Sequence, residues 1–242
     1  MDTIKFNSGT VRLIAHRGLS GLEKENTCSA FVAAGNRSTF YGIETDVHRT
    51  ADGRFIIIHD DNTGRVGLDA LTVEESTFDT LRKLQLTDVD GKRGRIDLHL
   101  PELMEYIGIC QKYEKYCVLE LKNRFRASDI YKIMSMIEKA GYLDHMIIIS
   151  FHLGNLVALR RRYPETPAQY LLSEWGDGDL ETLKKYSLGL DINYKSVTRA
   201  IVDSVHEAGL EVNCWTVNEK ADGEALAAMG VDYITTNILD KA

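Results

Sequence analysis

Short apolar runs alternate with helix-period segments along almost the whole chain, and this alternation restricts the fold more than any other feature. Helical patterns lie between most of the runs, and Gly141 and Gly209 follow two of them, at residues 130–140 and 197–208, as C-terminal stops. Repeated strand–helix units predict a parallel sheet. The strand-like runs are residues 11–15, 41–47, 55–58, 116–121, 146–151, 168–172, 188–192, 210–217 and 233–236.

The number of units indicates how the sheet is arranged. About eight units favour a closed (β/α)₈ TIM barrel, although the pattern alone leaves an open doubly wound sheet as an alternative. The 242 residues suit one barrel, so we predict a single domain spanning residues 1–242. Residues 62–112 break the rhythm, with helical patterns at 71–84 and 103–110 and a polar stretch at 88–95. We predict a small insertion after the second strand there.

Composition excludes several classes of protein. The net charge of −7 opposes a nucleic-acid coat protein, although a few oriented positive groups can still hold an anion in a pocket. Neither an apolar signal core nor a run of ~20 apolar residues is visible, which predicts a cytoplasmic protein. The 4 cysteines lack CxxC spacing, so we expect free, mostly buried thiols.

Two apolar runs end directly in a histidine. His16 and Arg17 follow residues 11–15, and His59 follows residues 55–58. In a barrel, the carboxyl ends of the strands and the loops after them form the active face. A histidine there can transfer protons near neutral pH, and an arginine can bind phosphate through paired N–H donors. Taken singly, each motif fits a structural histidine at least as well.

Alternating acidic side chains mark the second predicted strand. A period of two places Glu44, Asp46 and His48 on one face of this strand. Carboxylates that are buried together need a cation or a proton to coexist. Because hard oxygen ligands suit Mg²⁺, Ca²⁺ or Mn²⁺, the pattern indicates a divalent metal site, with a solvated edge strand as the alternative.

Residues 116–121 place Glu120 on the same face as Lys122. Glu120 could supply a third carboxylate to the cation, and Lys122 could neutralise a phosphate oxygen. A salt bridge at the rim of the barrel explains this pair equally simply. Trp215, near the end of residues 210–217, is either part of the core or an apolar wall beside a substrate.

Taken together, these residues resemble the glycerophosphodiester phosphodiesterase family, which also carries an insertion after its second strand. The likeness extends over nearly the whole chain, and the combination of His-Arg, Glu-x-Asp and His is fairly specific to this family. The matching segments are His16-Arg17-Gly18, Glu25-Asn26-Thr27, Ala30-Phe31, Glu44-Thr45-Asp46, Asp52-Gly53, His59-Asp60-Asp61, Leu119-Glu120-Leu121-Lys122, Ser150-Phe151, Trp215-Thr216-Val217-Asn218 and Gly230-Val231-Asp232.

The resemblance implies a barrel enzyme that cleaves a glycerophosphodiester to glycerol 3-phosphate and an alcohol such as choline or ethanolamine. It also implies a divalent metal ion, Mg²⁺ or Ca²⁺, as cofactor. Which histidine is the acid stays open. The implied site residues are Glu44, Asp46 and Glu120 for the metal, His16 and His59 for general base and acid catalysis, and Arg17, Lys122 and Trp215 for substrate binding.

Two positions depart from the family pattern. Lys24 stands where the family usually has a proline, and Asn237 stands where the last strand often ends in aspartate. Neither belongs to the implied metal set, so the departures affect the expected substrate more than the expected chemistry.

Two other functions are compatible with the sequence. One is a phosphodiesterase acting on a lysolipid or sphingolipid head group, which the absence of membrane-binding apolar segments disfavours. The other is a non-catalytic barrel that binds a phosphorylated metabolite, which would need a lost acid, base or ligand. The expected partner is a small-molecule glycerophosphodiester, with no nucleic acid and no stable membrane insertion, and a homo-oligomer stays open.

Overall fold

A computed structural model describes residues 2–242, and its main feature is a closed barrel of eight parallel strands surrounded by helices. Closure is shown by β2, which pairs in parallel with both β10 and β3. The predicted barrel is therefore confirmed, and the open sheet is excluded. The strands are β1 (Ile4–Phe6), β2 (Arg12–Ala15), β3 (Phe40–Arg49), β4 (Phe55–Ile57), β5 (Tyr116–Leu121), β6 (Met146–Ser150), β7 (Ala168–Leu172), β8 (Gly189–Asn193), β9 (Val212–Trp215), β10 (Tyr233–Thr236) and β11 (Leu239–Lys241).

The helices begin and end at local signals in the sequence. Thr27 and Thr198 cap two of them, each accepting a hydrogen bond from the backbone N–H three residues further on. Gly141 and Gly209 have positive φ angles of 69° and 73° after two helices, as predicted for C-terminal stops. The helices are α1 (Cys28–Gly35), α2 (Phe78–Arg82), α3 (Leu103–Lys112), α4 (Ala127–Lys139), α5 (Leu153–Arg160), α6 (Asp179–Tyr186), α7 (Arg199–Glu207) and α8 (Lys220–Met229).

Two strand assignments differ from the sequence pattern. The run at residues 55–58 contains β4, which pairs antiparallel with β3 and is not a strand of the closed barrel. The chain therefore returns along the end of β3 before it enters the insertion. In addition, β1 and β11 form a separate two-stranded parallel sheet, which three-residue strands are too short to reveal by alternation.

The helical pattern predicted at residues 71–84 is wrong for its first half, because only α2 is helical there. The backbone N–H of Val73 instead donates to Asp61, and Leu71 accepts from Thr63, as in a strand pairing. Thr77 then caps α2 by accepting from the backbone of Thr80. The apolar residues of this segment are buried by these loop contacts. Their spacing happens to match a helical period, which is why the sequence predicted a longer helix.

The predicted insertion at residues 62–112 contains two kinds of structure. Its last part, α3, contributes Leu103, Tyr106 and Ile107 to the main core between the barrel and its helices. The earlier part forms a second apolar cluster together with β4. The members of this cluster are Ile56, Ile58, Val66, Val73, Phe78, Leu81, Leu84, Leu86, Leu98 and Leu100.

The interior of the barrel is filled at the amino ends of its strands. The Arg12 guanidinium lies 3.8 Å from the centroid of the Tyr233 ring, and Tyr41 stacks on Tyr116 with centroids 4.3 Å apart. Branched apolar side chains lie among and above these rings. This packing leaves the carboxyl ends of the strands as the open face, where barrel enzymes place their active sites. Among residues 2–242, no helix has the length and apolarity needed to cross a bilayer.

Candidate active site

Three carboxylates meet inside the barrel near its carboxyl-terminal mouth. Glu44 and Asp46 lie on β3, and Glu120 lies beside Asp46 in the register of the neighbouring β5. One ligand oxygen from each of the three lies within 4.8 Å of the others, and all three residues are buried. The structure thus brings together the carboxylates that alternation placed on the inward faces of these strands.

Both basic residues selected from the sequence contact this acidic cluster. Arg17 donates its backbone N–H to Glu44 Oε2 at 2.8 Å, and its Nε lies 3.6 Å from Asp46 Oδ2. Lys122 Nζ lies 2.8 Å from Glu120 Oε1 and 3.6 Å from Asp46 Oδ1. Two positive side chains therefore lie beside the cluster, and a bound phosphate would lie within their reach.

The protonation of the cluster follows from its burial. Burial raises the pKa of Glu44 well above its usual range, with the nearby charge of Asp46 adding to the effect. Burial and Asp46 also raise the pKa of Glu120 to about 7. Burial would raise the pKa of Asp46 as well, but Lys122 and Arg17 outweigh it and hold that pKa below its usual range. The cluster therefore retains protons that a cation could replace.

The donor set fits a hard divalent cation. All three groups offer carboxylate oxygens, and Asp46 Oδ1 is buried without a hydrogen-bond partner among residues 2–242. Oxygen-only sets suit Mg²⁺ or Ca²⁺, whereas zinc sites usually include histidine or cysteine. The residues therefore match the class of ion expected from the sequence, while the choice between Mg²⁺ and Ca²⁺ stays open.

The two histidines line one cavity with Glu44 and Glu120 of this cluster. His16 Nδ1 lies 2.7 Å from Asn237 Oδ1, and His59 Nδ1 lies 2.6 Å from Asp60 Oδ1. Because both partners are acceptors, each Nδ1 carries a proton, and Nε2 is the ring atom left for proton transfer. Burial and the charge of Arg17 lower the pKa of His16 to about 4. Burial also lowers the pKa of His59.

The turn after β2 gives Arg17 its position. Arg17 and Asn26 both have positive φ angles, of 54° and 53°, and the N–H of Asn26 donates to Arg17 O at 2.9 Å. The side chain of Asn26 also donates to Asp46 Oδ2 at 2.8 Å and accepts from Thr45 Oγ1 at 2.7 Å. Asn26 thereby connects this turn to the acidic strand, a role that the family motif contained but sequence reasoning did not assign.

Trp215 lies on the apolar side of the cavity. Its ring meets Phe151 edge to face, with centroids 5.6 Å apart. Ile149 and Leu171 line the same cavity and add to its apolar surface. The structure therefore places Trp215 against the cavity and not within the packed interior of the barrel.

Asp191 on β8 also lines this cavity, and it was missed at the level of sequence. The signal that could have found it is the same alternation, because Leu190 and Ile192 flank it and belong to the main core. Burial raises the pKa of Asp191 well above its usual range, and the charge of Glu120 adds to that effect.

His48, which alternation placed on the acidic face, does not line the cavity. Its side chain is fully buried, with Nε2 3.3 Å from the backbone oxygen of His59 and Nδ1 3.3 Å from Glu74 Oε1. His48 thus supports the segment that carries His59. Lys24, at the usual proline position, lies 3.3 Å from Thr87 Oγ1 in the inserted segment.

A barrel that gathers an acidic cluster, two histidines and two basic side chains at its mouth defines a class of enzyme, the barrel hydrolases of phosphoric diesters. The family model described as the glycerophosphoryl diester phosphodiesterase family matches residues 16–241. The chain therefore belongs to this family of phosphoric diester hydrolases, as the sequence motifs predicted.

Individual relatives match this chain over most of the length of both proteins. A glycerophosphodiester phosphodiesterase of Bacillus altitudinis is 28% identical over 238 residues, which are 96% of this chain and 96% of the relative. An uncharacterised protein of Mycoplasma genitalium is 45% identical over 224 residues, covering 86% and 87% of the two chains.

Solved structures show the same fold. A glycerophosphodiester phosphodiesterase from Parabacteroides distasonis has a TM-score of 0.75 and 26% identity, covering 96% of this chain and 94% of its own. A phosphodiesterase from Oleispira antarctica, solved in complex with the product sn-glycerol-3-phosphate, has a TM-score of 0.82 and 24% identity, covering 93% and 92%.

Proposed function

We propose that this protein hydrolyses glycerophosphodiesters in a metal-dependent reaction in which His16 and His59 transfer the protons. Family membership supports glycerophosphodiester hydrolysis. The observation that carries the finer proposal is that both histidines and the acidic cluster meet in one cavity at the carboxyl ends of the strands. The products would be glycerol 3-phosphate and an alcohol. The phosphodiesterase from Oleispira antarctica was solved in complex with sn-glycerol-3-phosphate as its product.

Glu44, Asp46 and Glu120 would hold the divalent cation. When bound, the ion supplies positive charge that offsets the charge developing on the phosphate oxygens in the transition state. Binding would favour the ionised forms of Glu44 and Glu120, opposing the effect of burial on their pKa values. The buried Asp46 Oδ1, which lacks a hydrogen-bond partner within residues 2–242, would be satisfied by coordinating the ion.

Arg17 and Lys122 would bind the phosphate. Their positive groups lie within 4 Å of the acidic cluster and lie mostly within the barrel mouth, with side chains 16% and 15% exposed. A phosphodiester anion resists attack by a nucleophile, and oriented cations in a site that excludes water reduce this barrier most strongly. The planar guanidinium of Arg17 can contact two phosphate oxygens, whereas Lys122 offers a point charge.

The histidines would divide the proton transfers between them. His16 is assigned as the base, because its pKa of about 4 keeps Nε2 unprotonated and available to accept a proton at neutral pH. It would take the proton from the attacking oxygen. His59 would protonate the alcohol oxygen as the P–O bond breaks, since Asp60 at its Nδ1 and Asp46 nearby stabilise the charged ring against the effect of burial.

The test is a screen of glycerophosphodiesters and lysolipids with Mg²⁺, Ca²⁺ or no added metal. We expect glycerophosphocholine or a close relative to be hydrolysed only when a divalent ion is present. Glu120→Gln should weaken both metal binding and turnover, whereas the matched control Glu207→Gln, in an exposed helical position, should not. Full activity after exhaustive chelation would exclude the metal role, and activity on lysolipids alone would exclude the proposed substrate.

A further inference from the structure

Asp191 lines the cavity but has no role in the chemistry described above. Asp191 is 2% exposed, its Oδ1 is buried without a hydrogen-bond partner, and its carboxyl makes no hydrogen bond or salt bridge with the rest of residues 2–242. Leaving a buried polar group unpaired is costly, because the group gives up its hydrogen bonds to water and gains none in return. Native proteins keep few such groups, and those that remain often have a functional role.

The polar neighbours of Asp191 inside the barrel are satisfied. Asn213 donates to Gln169 Oε1 at 3.2 Å and accepts from Thr235 Oγ1 at 3.1 Å. These bonds connect β7, β9 and β10 and pass over β8, so they leave Asp191 out. Asp191 is therefore left out of the paired network on its neighbouring strands. Trp215 Nε1 and Arg17 Nε, which also line this cavity, are likewise buried without a hydrogen-bond partner among residues 2–242, but both are donors, whereas Asp191 offers an acceptor.

The position of Asp191 in the barrel is opposite the acidic cluster. The strands follow the order β2, β3, β5, β6, β7, β8, β9 and β10 around the ring, so β8 lies four strands from β3 in either direction. Asp191 and Glu44 nevertheless line one cavity. A molecule whose phosphate lies beside β3 and β5 could therefore extend toward β8.

The surroundings define what Asp191 can bind. Ile149, Leu171 and Trp215 line the cavity on this side, whereas the cavity-lining cation, Arg17, lies beside the acidic cluster. Either form of the carboxyl offers an acceptor oxygen, and the ionised form would repel a phosphate, so this end of the cavity suits an uncharged group that donates a hydrogen bond. Asp191 can accept such a bond in either protonation state.

We infer that Asp191 is a binding subsite for a free hydroxyl of the glycerol moiety, and that it selects glycerol-bearing phosphodiesters over those without this hydroxyl. The inference rests on the proposed function. It adds that Asp191 recognises the glycerol moiety, which stays bonded to the phosphate in the product. The terminal hydroxyl of glycerol is the group assigned, because it is the one furthest from the phosphate along the three-carbon chain. Phosphate binding at Arg17 and Lys122 leaves that end free to reach β8.

The test compares glycerophosphocholine with its analogue lacking the terminal hydroxyl, a propane-1,2-diol phosphocholine. For the wild type with metal, we expect kcat/KM to be at least ~10-fold higher for glycerophosphocholine, because a site built for a hydroxyl rejects the analogue without it. Asp191→Ala should lower kcat/KM for glycerophosphocholine alone and bring the ratio near one. Asp191→Asn, which keeps an acceptor oxygen, should retain part of the preference.

A second measurement does not depend on turnover. Glycerol 3-phosphate and propane-1,2-diol phosphate are titrated into the metal-loaded wild type and both variants, and their affinities are compared by calorimetry. We expect the same loss of preference in Asp191→Ala. Equal losses for both ligands, or no preference in the wild type, would overturn the inference. Preferential binding of glycerol 3-phosphate without hydrolysis of any diester would refute the proposed function and leave the subsite standing.

Discussion

Arg65 and Glu25 form a two-pronged ion pair, with Nη1 2.6 Å from Oε2 and Nη2 2.8 Å from Oε1. Arg65 belongs to the inserted segment, whereas Glu25 lies in the loop after β2 and accepts from Arg17 at 2.9 Å. The Nε of Arg65 also lies 2.6 Å from Asp60 Oδ2, and Asp60 contacts His59. Arg65 therefore connects the loop that carries Arg17, which we propose binds the phosphate, to Asp60, which orients His59.

We expect Arg65→Lys to lower kcat by about 10- to 100-fold, because an ammonium cannot hold two carboxylates in a two-pronged geometry and small displacements of catalytic groups are costly. Steady-state kinetics with glycerophosphocholine would measure the change. The matched control is Arg93→Lys, at an exposed position of the same inserted segment. Normal turnover in Arg65→Lys would show that the ion pairs do not position the site.

His16→Ala and His59→Ala should each lower turnover at least ~100-fold, the usual scale for a lost general acid or base. Single-turnover rates at saturating metal and substrate would measure this, with thermal unfolding to verify the fold. His206→Ala, in an exposed position beside Asp232, should leave the rate unchanged. A near-normal rate in either active-site variant would remove that histidine from the proton transfers.

Asn237→Asp should raise the pKa of His16. The present partner of Nδ1 is a neutral amide oxygen at 2.7 Å, and a carboxylate there would favour the charged ring by about one pKa unit or more. Since a protonated His16 cannot act as a base, the acid limb of the kcat/KM profile should move to higher pH. The profile is measured from about pH 3.5 to 8, so that it includes the wild-type limb near the His16 pKa of about 4, and an unchanged acid limb would contradict the role of His16 as base.

Asp191→Asn should stabilise the protein at neutral pH. Burial raises the pKa of Asp191 in the folded state above the ordinary value of 3.8, so above pH 3.8 the unfolded chain loses this proton while the folded chain keeps it. The wild type therefore loses stability as the pH rises from that value. The variant avoids this loss, and its advantage should be on the order of 1–3 kcal/mol at pH 7 and should shrink as the pH falls toward 4.

Urea unfolding of the metal-free protein between pH 5 and 8 would measure that difference. The matched control is Asp177→Asn, because this carboxyl is exposed and we expect no pH-dependent change in stability from it. A gain that is the same at every pH would mean that the carboxyl of Asp191 is charged in the folded protein.

Much of the fold and part of the site follow from local periodicity. The alternation of strands and helices predicted the barrel, and a period of two identified the inward faces that carry Glu44, Asp46 and Glu120. The ends of two apolar runs singled out His16 and His59, and the family resemblance assigned proton transfer to them. These features can be predicted from the sequence because side chains alternate between the two faces of a strand. The face of each residue therefore does not depend on its neighbours in space.

The sequence by itself therefore determined which side chains point into the barrel, and only the tertiary structure decided which of them meet. His59 reaches the mouth through an antiparallel return along β3, which apolar composition could not distinguish from another barrel strand. Asn237 contacts His16, and Asp191 lies opposite Glu44, because ring closure brings together residues more than a hundred positions apart. Periodicity encodes the direction of a side chain, whereas its partner depends on how the whole sheet closes.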